Sequence, residues 1–318
     1  MDDASFPDLP GYVLRPPERS ESRAVAELVA ACDIAEGAEP GYTEADILEI
    51  WGWSSFDLAK DAWVVEAPDG SLAAYAELAD EGGERIWFEA TGEVHPSHRG
   101  RGIGSGLVTA YERRARDLMA AAGRDEAELW AFTSALDELG VELLRRNGYS
   151  PKRQFWHMRI ELEGRTFEPK TVPGVSVRPA DLNLEAPNIH ELMEAGFSEH
   201  WGFSPSTFDD WSVVMRRPDF DAGLWLIAEA EGRIVGGAIG SLGDVPFIRD
   251  LAVLKEWRGR GIGAALLEAS FAEFARRGVP NVTLNVDAGN ETGAVALYER
   301  VGMQPIRRFV GAVKELRD

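Results

Sequence analysis

The sequence predicts an α/β protein built from two copies of one domain, and a repeated glycine loop is the clearest sign of this. The segment RGRGIG stands at Arg99–Gly104 and again at Arg258–Gly263, 159 positions later. Other landmarks recur in the same order: PGYVLRP and PGVSVRP lie 163 positions apart, and RRNGY and ERVGM place Gly148 and Gly302 154 positions apart. Landmarks kept in order, with small insertions between them, indicate a duplication of the whole chain.

We expect the two domains to span residues 1–162 and 173–318. Each is of ordinary domain size, and a polar stretch that contains proline and glycine, Glu163–Gly174, separates them. With 45% hydrophobic and 27% charged residues, the chain of 318 residues can bury two ordinary cores.

Apolar patterning in the second half predicts helices and strands in alternation. The first half is expected to have the same order of helices and strands, because an apolar helical stripe also follows Arg99–Gly104. The stripe in the second half is formed by Ile262, Leu266, Leu267, Phe271 and Phe274, and the one in the first half by Ile103, Leu107, Val108, Tyr111, Ala115 and Leu118. The other predicted elements of the second half are helices over Glu185–Phe197, Ser206–Arg216 and Ala294–Arg300, and strands over Leu224–Ala228, Ile234–Ile239, Phe247–Val253, Val282–Val286 and Pro305–Val310.

Composition and charge limit the cellular location and the classes of binding partner that we expect. The single cysteine, Cys32, excludes an internal disulfide and suits the reducing cytoplasm, which is the location we expect. The acidic start MDDASFPDLPG lacks the parts of a secretory signal, and no apolar run reaches the length that spans a membrane. A formal net charge of −21 argues against non-specific nucleic-acid binding. The same negative charge favours the attraction of cationic small molecules, or it only increases the solubility of the protein. The five histidines show no metal-ligand spacing, so we expect no metal.

The glycine loop has the composition of an anion-binding turn. Glycines let successive backbone N–H groups face an anion, and the helix that follows adds the positive end of its dipole. A Walker loop ends in Gly-Lys-Ser/Thr, which both copies lack, and the spacing GxGxG departs from the dinucleotide fingerprint GxGxxG. The pattern that fits is Arg-x-x-Gly-x-Gly. A tight strand-to-helix turn without a ligand is the alternative explanation for the same glycines.

The strand, the glycine loop, the helix behind it and the later segment LYERVGM together resemble the GNAT superfamily of acyl-CoA N-acyltransferases. The resemblance covers both halves, and it is stronger over Ile248–Met303 than over Phe88–Tyr149. The layout of two such domains in one chain also resembles that of the mycothiol synthases, which are tandem members of the superfamily. The resemblance implies two tandem GNAT-like domains, each with a mixed central sheet flanked by helices, and acetyl-CoA as the co-substrate.

The resemblance also assigns coenzyme-binding positions. Backbone amides of the glycine loop would hold the pyrophosphate, the strand before the loop would pair with the pantetheine arm, and Arg258 and Arg260 would add positive charge near the phosphates. In the second half the assigned residues are Leu251, Ala252, Val253, Arg258, Gly259, Arg260, Gly261, Ile262, Gly263, Ala264 and Asn290. In the first half they are Val94, Arg99, Gly100, Arg101, Gly102, Ile103 and Gly104.

Two residues of the second half are candidates for the chemistry. Tyr298 stands where the superfamily carries the acid that protonates the departing thiolate of the coenzyme. Asp250 stands on the strand where many members carry an acidic residue; it either accepts the proton of the amine, directly or through water, or pairs with a cation such as Arg249. In mycothiol synthases the acidic strand residue lies further upstream, where this chain has Phe247.

The segment GFSEHWGF is the candidate wall of the acceptor pocket. Glu199 and His200 would line the pocket and Trp201 and Phe203 would form its apolar side. An exposed helix end is the alternative explanation for Glu199 and His200.

The first half departs from the pattern at the catalytic positions. Tyr298 corresponds to Leu144, Asn290 to Leu136 and Asp250 to Thr91. Leucine cannot donate a proton, so we expect a catalytically silent domain whose intact glycine loop still binds coenzyme or another phosphate ligand. The alternative is that Tyr111 or Tyr149 acts as the general acid in the first half, in place of the missing tyrosine.

The expected function is acetyl-CoA-dependent N-acetylation of a primary amine, that of a small molecule. Two alternatives stay open: a protein or peptide amine as acceptor, and a non-catalytic acyl-CoA-binding or regulatory protein. We expect no nucleic-acid or membrane partner, and either a monomer or a homodimer.

Overall fold

The computed structural model describes residues 6, 9–80, 86–243, 245–289 and 293–317. Helices and strands alternate, which confirms the predicted α/β class. The helices are α1 (Ser22–Ala35), α2 (Glu44–Ile50), α3 (Leu58–Asp61), α4 (Ile103–Ala121), α5 (Glu138–Arg146), α6 (Leu182–Phe197), α7 (Phe208–Trp211), α8 (Ile262–Arg276) and α9 (Ala294–Arg300). The strands are β1 (Val13–Arg15), β2 (Ala62–Glu66), β3 (Leu72–Ala79), β4 (Trp87–Val94), β5 (Glu126–Ser134), β6 (Ser150–Glu161), β7 (Ser176–Pro179), β8 (Phe220–Ala230), β9 (Arg233–Ser241), β10 (Phe247–Val253), β11 (Asn281–Asp287) and β12 (Gln304–Arg317).

The chain forms two compact units. The first unit contains residues 1–154 and 308–318, and the second contains residues 155–307. These bounds differ from the expected domains of 1–162 and 173–318 because the last strand of each repeat is exchanged. Residues 309–317 of β12 pair antiparallel with β5 in the first unit, and residues 155–161 of β6 pair antiparallel with β11 in the second.

Each unit has a mixed sheet flanked by helices, as predicted. In the first unit the strand order is β1-β2-β3-β4-β5-β12, and only the β4–β5 pair is parallel among the described pairings. In the second unit the order is β6-β11-β10-β9-β8-β7, and β10–β11 is the corresponding parallel pair.

Helices cover both faces of the sheet in the second unit. The predicted stripe of α8 is fully buried: Leu267, Phe271 and Phe274 pack in one core cluster, and Ile262 and Leu266 in another. The opposite face carries α6, whose apolar residues form a cluster with Ala252 of β10. In the first unit α4 and α1 cover the corresponding faces. Strand β10 therefore lies between two helices, and alternate side chains point toward one or the other.

Several predicted elements differ in extent from the observed ones, and two of these differences have a clear physical cause. The helix expected over Ser206–Arg216 is a single α-turn, α7, followed by a 3₁₀ turn at Ser212–Arg216. The adjacent β-branched residues Val213 and Val214 disfavour a longer α-helix. The strand expected over Pro305–Val310 continues to Arg317 because its second part pairs with β5. The bounds of β10 and α9 coincide with the predicted ones. None of the helices that the structure describes has both the length and the apolar character needed to cross a bilayer.

Candidate active site

The glycine loop of the second unit connects the end of β10 to the start of α8. Gly259 and Gly261 have positive φ angles of 75° and 87°, which L side chains rarely adopt. Gly261 is the N-cap of α8, and residues 259–261 are exposed to solvent. The first amides of α8 therefore have no intrahelical acceptor and lie beside an open turn, an arrangement that binds anions.

The first unit repeats this geometry closely. Gly100 and Gly102 have φ angles of 77° and 85°, and Gly102 is the N-cap of α4. Arg101 is exposed, like Arg260 in the second unit. Both loops thus have the backbone conformation that an anion site requires.

The third glycine of each loop has a packing role. A Cβ atom on Gly263 would lie 3.1 Å from Leu297 Cδ2 on α9, and one on Gly104 would lie 2.9 Å from Leu143 Cδ2 on α5. Glycine at this position therefore allows the long helix to approach the short helix behind it. The remaining positions assigned at the helix start, Ile262 and Ala264, are buried, so their contribution to a ligand site is limited to the main chain.

Strand β10 separates from its parallel neighbour β11 near its own first residue. Phe247 of β10 pairs with Thr283 of β11, whereas β10 pairs with β9 as far as Val253. In the first unit β4 pairs with β5 only over Trp87–Ala90 within the described pairing. The β11-facing edge of Leu251–Val253 is thereby left to pair with an extended ligand, as an added strand would.

Tyr298 is the buried residue of α9, with 8% of its surface exposed. It belongs to the core cluster on the α8 face of the sheet, and Leu251 packs against the same cluster. Burial, together with the nearby charge of Asp250, raises the pKa of Tyr298 to about 12. The phenol therefore keeps its proton throughout the physiological range.

Asp250 lies on β10, two residues before Ala252. Because side chains alternate along a strand, Asp250 shares the face of Ala252, which packs against α6. Burial and, to a smaller extent, the charge of Asp250 raise the pKa of Tyr298 on the other side of β10. The fold thus brings the two predicted catalytic residues into electrostatic contact, one from each face of the strand.

Arg258 does not extend into solvent as its predicted phosphate role suggests. Its Nε donates to the carbonyl of Val253 (3.1 Å), its Nη2 to the carbonyl of Gly196 (2.9 Å) and its Nη1 to Glu199 Oε2 (3.0 Å). The guanidinium is thus turned back toward the protein and holds the end of β10 and the end of α6.

Arg260 occupies the solvent side of the loop. Its guanidinium lies 4.4 Å from the ring centre of Trp257, and its Nη2 donates to the carbonyl of Glu256. Of the two predicted phosphate-binding arginines, Arg260 is the exposed one.

The segment after α6 is partly enclosed. Glu199 accepts from Lys255 and Arg258, and these hydrogen bonds lower the pKa of its carboxyl. His200 is half-buried with its ring edge-on to Phe197 at 4.7 Å, and burial together with the charge of Arg258 lowers its pKa. The amide of Phe203 donates to the carbonyl of His200. Glu199 is therefore an ion-paired residue, and the lowered pKa of His200 favours the neutral form of its imidazole.

Trp201 contacts Phe155 of β6, with ring centres 6.1 Å apart. Asn290, assigned to the coenzyme arm, lies outside the described residues. Among the described part of the chain, no group of three or more His, Cys, Asp or Glu side chains is placed to hold a metal ion.

The positions of the first unit that correspond to Tyr298, Asn290 and Asp250 carry side chains of different chemistry. Leu144 is buried in α5, and Leu136 is 59% exposed. Thr91 donates from Oγ1 to Glu77 Oε1 at 3.3 Å. Tyr111 and Tyr149, the alternative acids, are buried in the core cluster of α4, and burial raises the pKa of each.

Glu77 is a buried acid that sequence reasoning missed. It is 3% exposed, and Tyr75 and Tyr42 also donate to its carboxyl. Trp51 in turn donates from Nε1 to the Tyr75 hydroxyl at 2.9 Å, and burial raises the pKa of Glu77. A lone acidic residue inside the apolar strand LAAYAELA is the signal that could have identified it. This buried network fills the face of the first unit that corresponds to the Asp250 side of the second.

Comparison with known proteins gives consistent matches. Residues 24–134 and 186–303 each match the sequence model of the Acetyltransferase (GNAT) family. The chain is 28% identical over 296 residues to a protein named mycothiol acetyltransferase from Pseudarthrobacter chlorophenolicus, covering 87% of each chain. It is 32% identical over 287 residues to one of the same name from Kineococcus radiotolerans, covering 88% of each.

Solved structures extend these matches to the fold. A GCN5-related N-acetyltransferase from Sphaerobacter thermophilus superposes with a TM-score of 0.82 at 34% identity, covering 98% of each chain. A tandem GNAT protein from the clavulanic acid biosynthesis pathway superposes with a TM-score of 0.69 at 18% identity, covering 96% of this chain and 98% of that one. The second match supports the fold alone.

Proposed function

This chain belongs to the GNAT acetyltransferase family, and we propose that its second unit transfers the acetyl group of acetyl-CoA to the primary amine of a small molecule. The observation that carries the proposal is that Tyr298 lies buried in the core cluster against which Leu251 of β10 packs, within reach of the charge of Asp250. The relatives named mycothiol acetyltransferase are named for a small molecule. That name favours a small acceptor over a protein amine.

We assign coenzyme binding to main-chain groups. The amides of Gly259–Gly263 hold the pyrophosphate at the start of α8, and the free edge of Leu251–Val253 pairs with the pantetheine arm. Arg260 adds positive charge from the solvent side, while Arg258 stabilises the loop from within. Acetyl-CoA supplies the reactive thioester, and strand N–H groups near Val253 stabilise the oxyanion that forms on it.

Asp250 is the proposed proton acceptor for the amine. A free alkylamine has a pKa near ~10 and must lose a proton before it attacks. Asp250 faces the α6 side of β10, so the amine approaches from that side. A structural role for Asp250 in pairing with a cation is the alternative that the variants below test.

Tyr298 is the proposed general acid. Attack of the amine forms the carbon–nitrogen bond and a tetrahedral oxyanion. When that oxyanion collapses, the carbon–sulfur bond breaks, and the departing thiolate takes the phenolic proton of Tyr298. The raised pKa of Tyr298 keeps that proton in place until charge develops on the sulfur.

The first unit is proposed to be catalytically silent. Leu144 offers no proton, and the Glu77 network occupies the side from which an amine would approach. Its glycine loop keeps the anion-binding conformation, so we propose that it binds coenzyme or another phosphate ligand without turnover.

A thiol-release assay with acetyl-CoA and a panel of small primary amines tests the proposal. We expect release of free coenzyme thiol that depends on at least one small amine. Peptides with free α-amines or lysines, run alongside, test the protein-acceptor alternative. Coenzyme binding without amine-dependent release in any arm would instead indicate the non-catalytic alternative.

A further inference from the structure

The arginine that opens each glycine loop makes the same contacts in both units. Arg258 Nε and Arg99 Nε each donate to the carbonyl of the last strand residue at 3.1 Å. Each guanidinium also pairs with a glutamate just beyond the end of a helix: Arg258 with Glu199, after α6, at 3.0 Å and Arg99 with Glu36, after α1, at 3.5 Å. The two glutamates are 163 positions apart, the same offset as that between PGYVLRP and PGVSVRP. The pair has therefore persisted while Tyr298 and Leu144 diverged.

The surroundings of the pair differ between the units. Glu199 has 44% of its side chain exposed and also accepts from Lys255, in the turn that leads into the glycine loop. Glu36 has only 4% of its side chain exposed. In the second unit the glutamate thus joins the end of α6 to both ends of the turn before α8, at a surface where the connection can form and break.

The end of α6 lies directly on the strand that would hold the thioester. A Cβ atom on Gly196 would come within 2.7 Å of Ala252 Cβ and 3.9 Å of Val253 N. The segment 197–203, which we call the acceptor wall, continues from this contact. Because Asp250 shares the face of Ala252, the acceptor wall begins at the face of β10 that carries Asp250.

We propose that Glu199 is a positioning residue that couples the coenzyme-bound glycine loop to the acceptor wall through Arg258. This inference rests on the proposed function, since it requires coenzyme at the loop. A ligand that fixes the main chain of Val253 and Arg258 also fixes the guanidinium anchored there. Once the guanidinium is fixed, ordering the segment that follows α6 through Glu199 costs less conformational entropy. Ordering of the loop and ordering of the wall are therefore cooperative.

Hydrogen–deuterium exchange of the full chain, with and without coenzyme A, tests the coupling. In the wild type we expect coenzyme A to slow exchange in peptides covering both 254–264 and 197–203. For the wall, a slowing of about 5-fold or more is expected for an energetically coupled segment. Glu199→Gln keeps the shape of the side chain and removes its charge. In this variant the loop should keep its protection by coenzyme A, whereas the wall should lose most of its response.

Two further variants separate positioning from a merely structural role. Glu36→Gln makes the same change in the first unit and should leave the response of the wall to coenzyme A as in the wild type. Glu199→Asp retains the charge and should restore part of the response. Because Glu199 is an exposed ion-pair residue, its loss should change overall stability little, which thermal melting of each variant checks.

Three outcomes would overturn the inference. A wall that responds to coenzyme A equally in the wild type and in Glu199→Gln would contradict the coupling while leaving the proposed function intact. The same holds for a wild-type wall that does not respond while the loop is protected. Absence of any protection at 254–264 in the wild type would overturn the coenzyme site of the proposed function and this inference together.

Discussion

Tyr298 and Leu144 occupy the same position in two copies of one helix–turn–strand segment. Each is the buried residue of its short helix. Each carbonyl accepts from the amide five residues later, Met303 and Tyr149 respectively, at 3.0 Å. A glycine with positive φ ends both helices. The backbone is therefore preserved between the two copies, whereas the side chain at this position differs. Tyr298 can donate a proton, and Leu144 cannot.

Tyr298→Phe removes the proposed acid and little else, since the ring still fills its core position. Loss of a positioned general acid should lower turnover by about 100-fold or more, with the affinity for acetyl-CoA unchanged. Steady-state thiol release and equilibrium binding measure the two quantities. Tyr149→Phe deletes the same atom in the first unit and should leave turnover unchanged. A large loss in Tyr149→Phe would show that the first unit is not silent.

Asp250→Asn tests the proton acceptor. If Asp250 takes the proton of the amine, kcat/KM at neutral pH should fall by about 100-fold and recover in part at higher pH, where free amine is more abundant. Thr91→Ala, at the corresponding position of the first unit, is the matched control and should behave like the wild type. Wild-type kcat/KM in Asp250→Asn would assign Asp250 to a structural role.

The pH dependence of turnover follows from the raised pKa of Tyr298. The phenol acts in its protonated form, and its pKa of about 12 lies above the ordinary value of 10. The acid form therefore persists to higher pH than in a free tyrosine, and turnover should not decline between about pH 9 and pH 10.5. In Asp250→Asn the charge that helps to raise this pKa is gone, so any alkaline decline should move to lower pH. A wild-type decline centred below pH 10 that disappears in Tyr298→Phe would contradict this environment for the phenol.

Tyr75→Phe tests the buried network of the first unit. The Tyr75 hydroxyl donates to Glu77 and accepts from Trp51 Nε1. Its deletion leaves a buried indole N–H without that acceptor and a buried carboxyl without one donor, which should cost about 1–3 kcal/mol in the free energy of unfolding. Urea denaturation measures the loss, and acetyl transfer under native conditions should be unaffected. A change below about 0.5 kcal/mol, typical of neutral surface substitutions, would show that the network contributes little.

Local patterns predicted the elements and motifs because their causes are local. The apolar stripe of α8, the strand-to-helix turn at the loop glycines and the bounds of α9 follow from periodicity, from glycine and from the stop at Gly302. What the sequence could not reveal depends on residues far apart in the chain. The side chain of Arg258 turns back because α6, some sixty residues earlier, offers it Gly196 and Glu199.

The strand exchange and Glu77 escaped prediction for the same reason. Periodicity marks residues 305–310 as a strand, yet the partner of its continuation, β5, is set by tertiary pairing. Glu77 lies in an apolar strand, where an acid is tolerated only because Tyr42, Tyr75 and Thr91 supply donors. Tyr42 lies before α2 and Thr91 on β4, and only the folded chain brings these two donors to Glu77 on β3.

The most direct test of the central claim is calorimetric titration of acetyl-CoA into the wild type and into Gly261→Val. A side chain at Gly261 is incompatible with the φ of 87° that opens the start of α8. We predict that the wild type binds acetyl-CoA and that Gly261→Val loses the binding event that supports turnover. If Gly261→Val and the wild type give the same binding isotherm, or if the folded wild type gives no binding heat, the proposed coenzyme site at the glycine loop is contradicted.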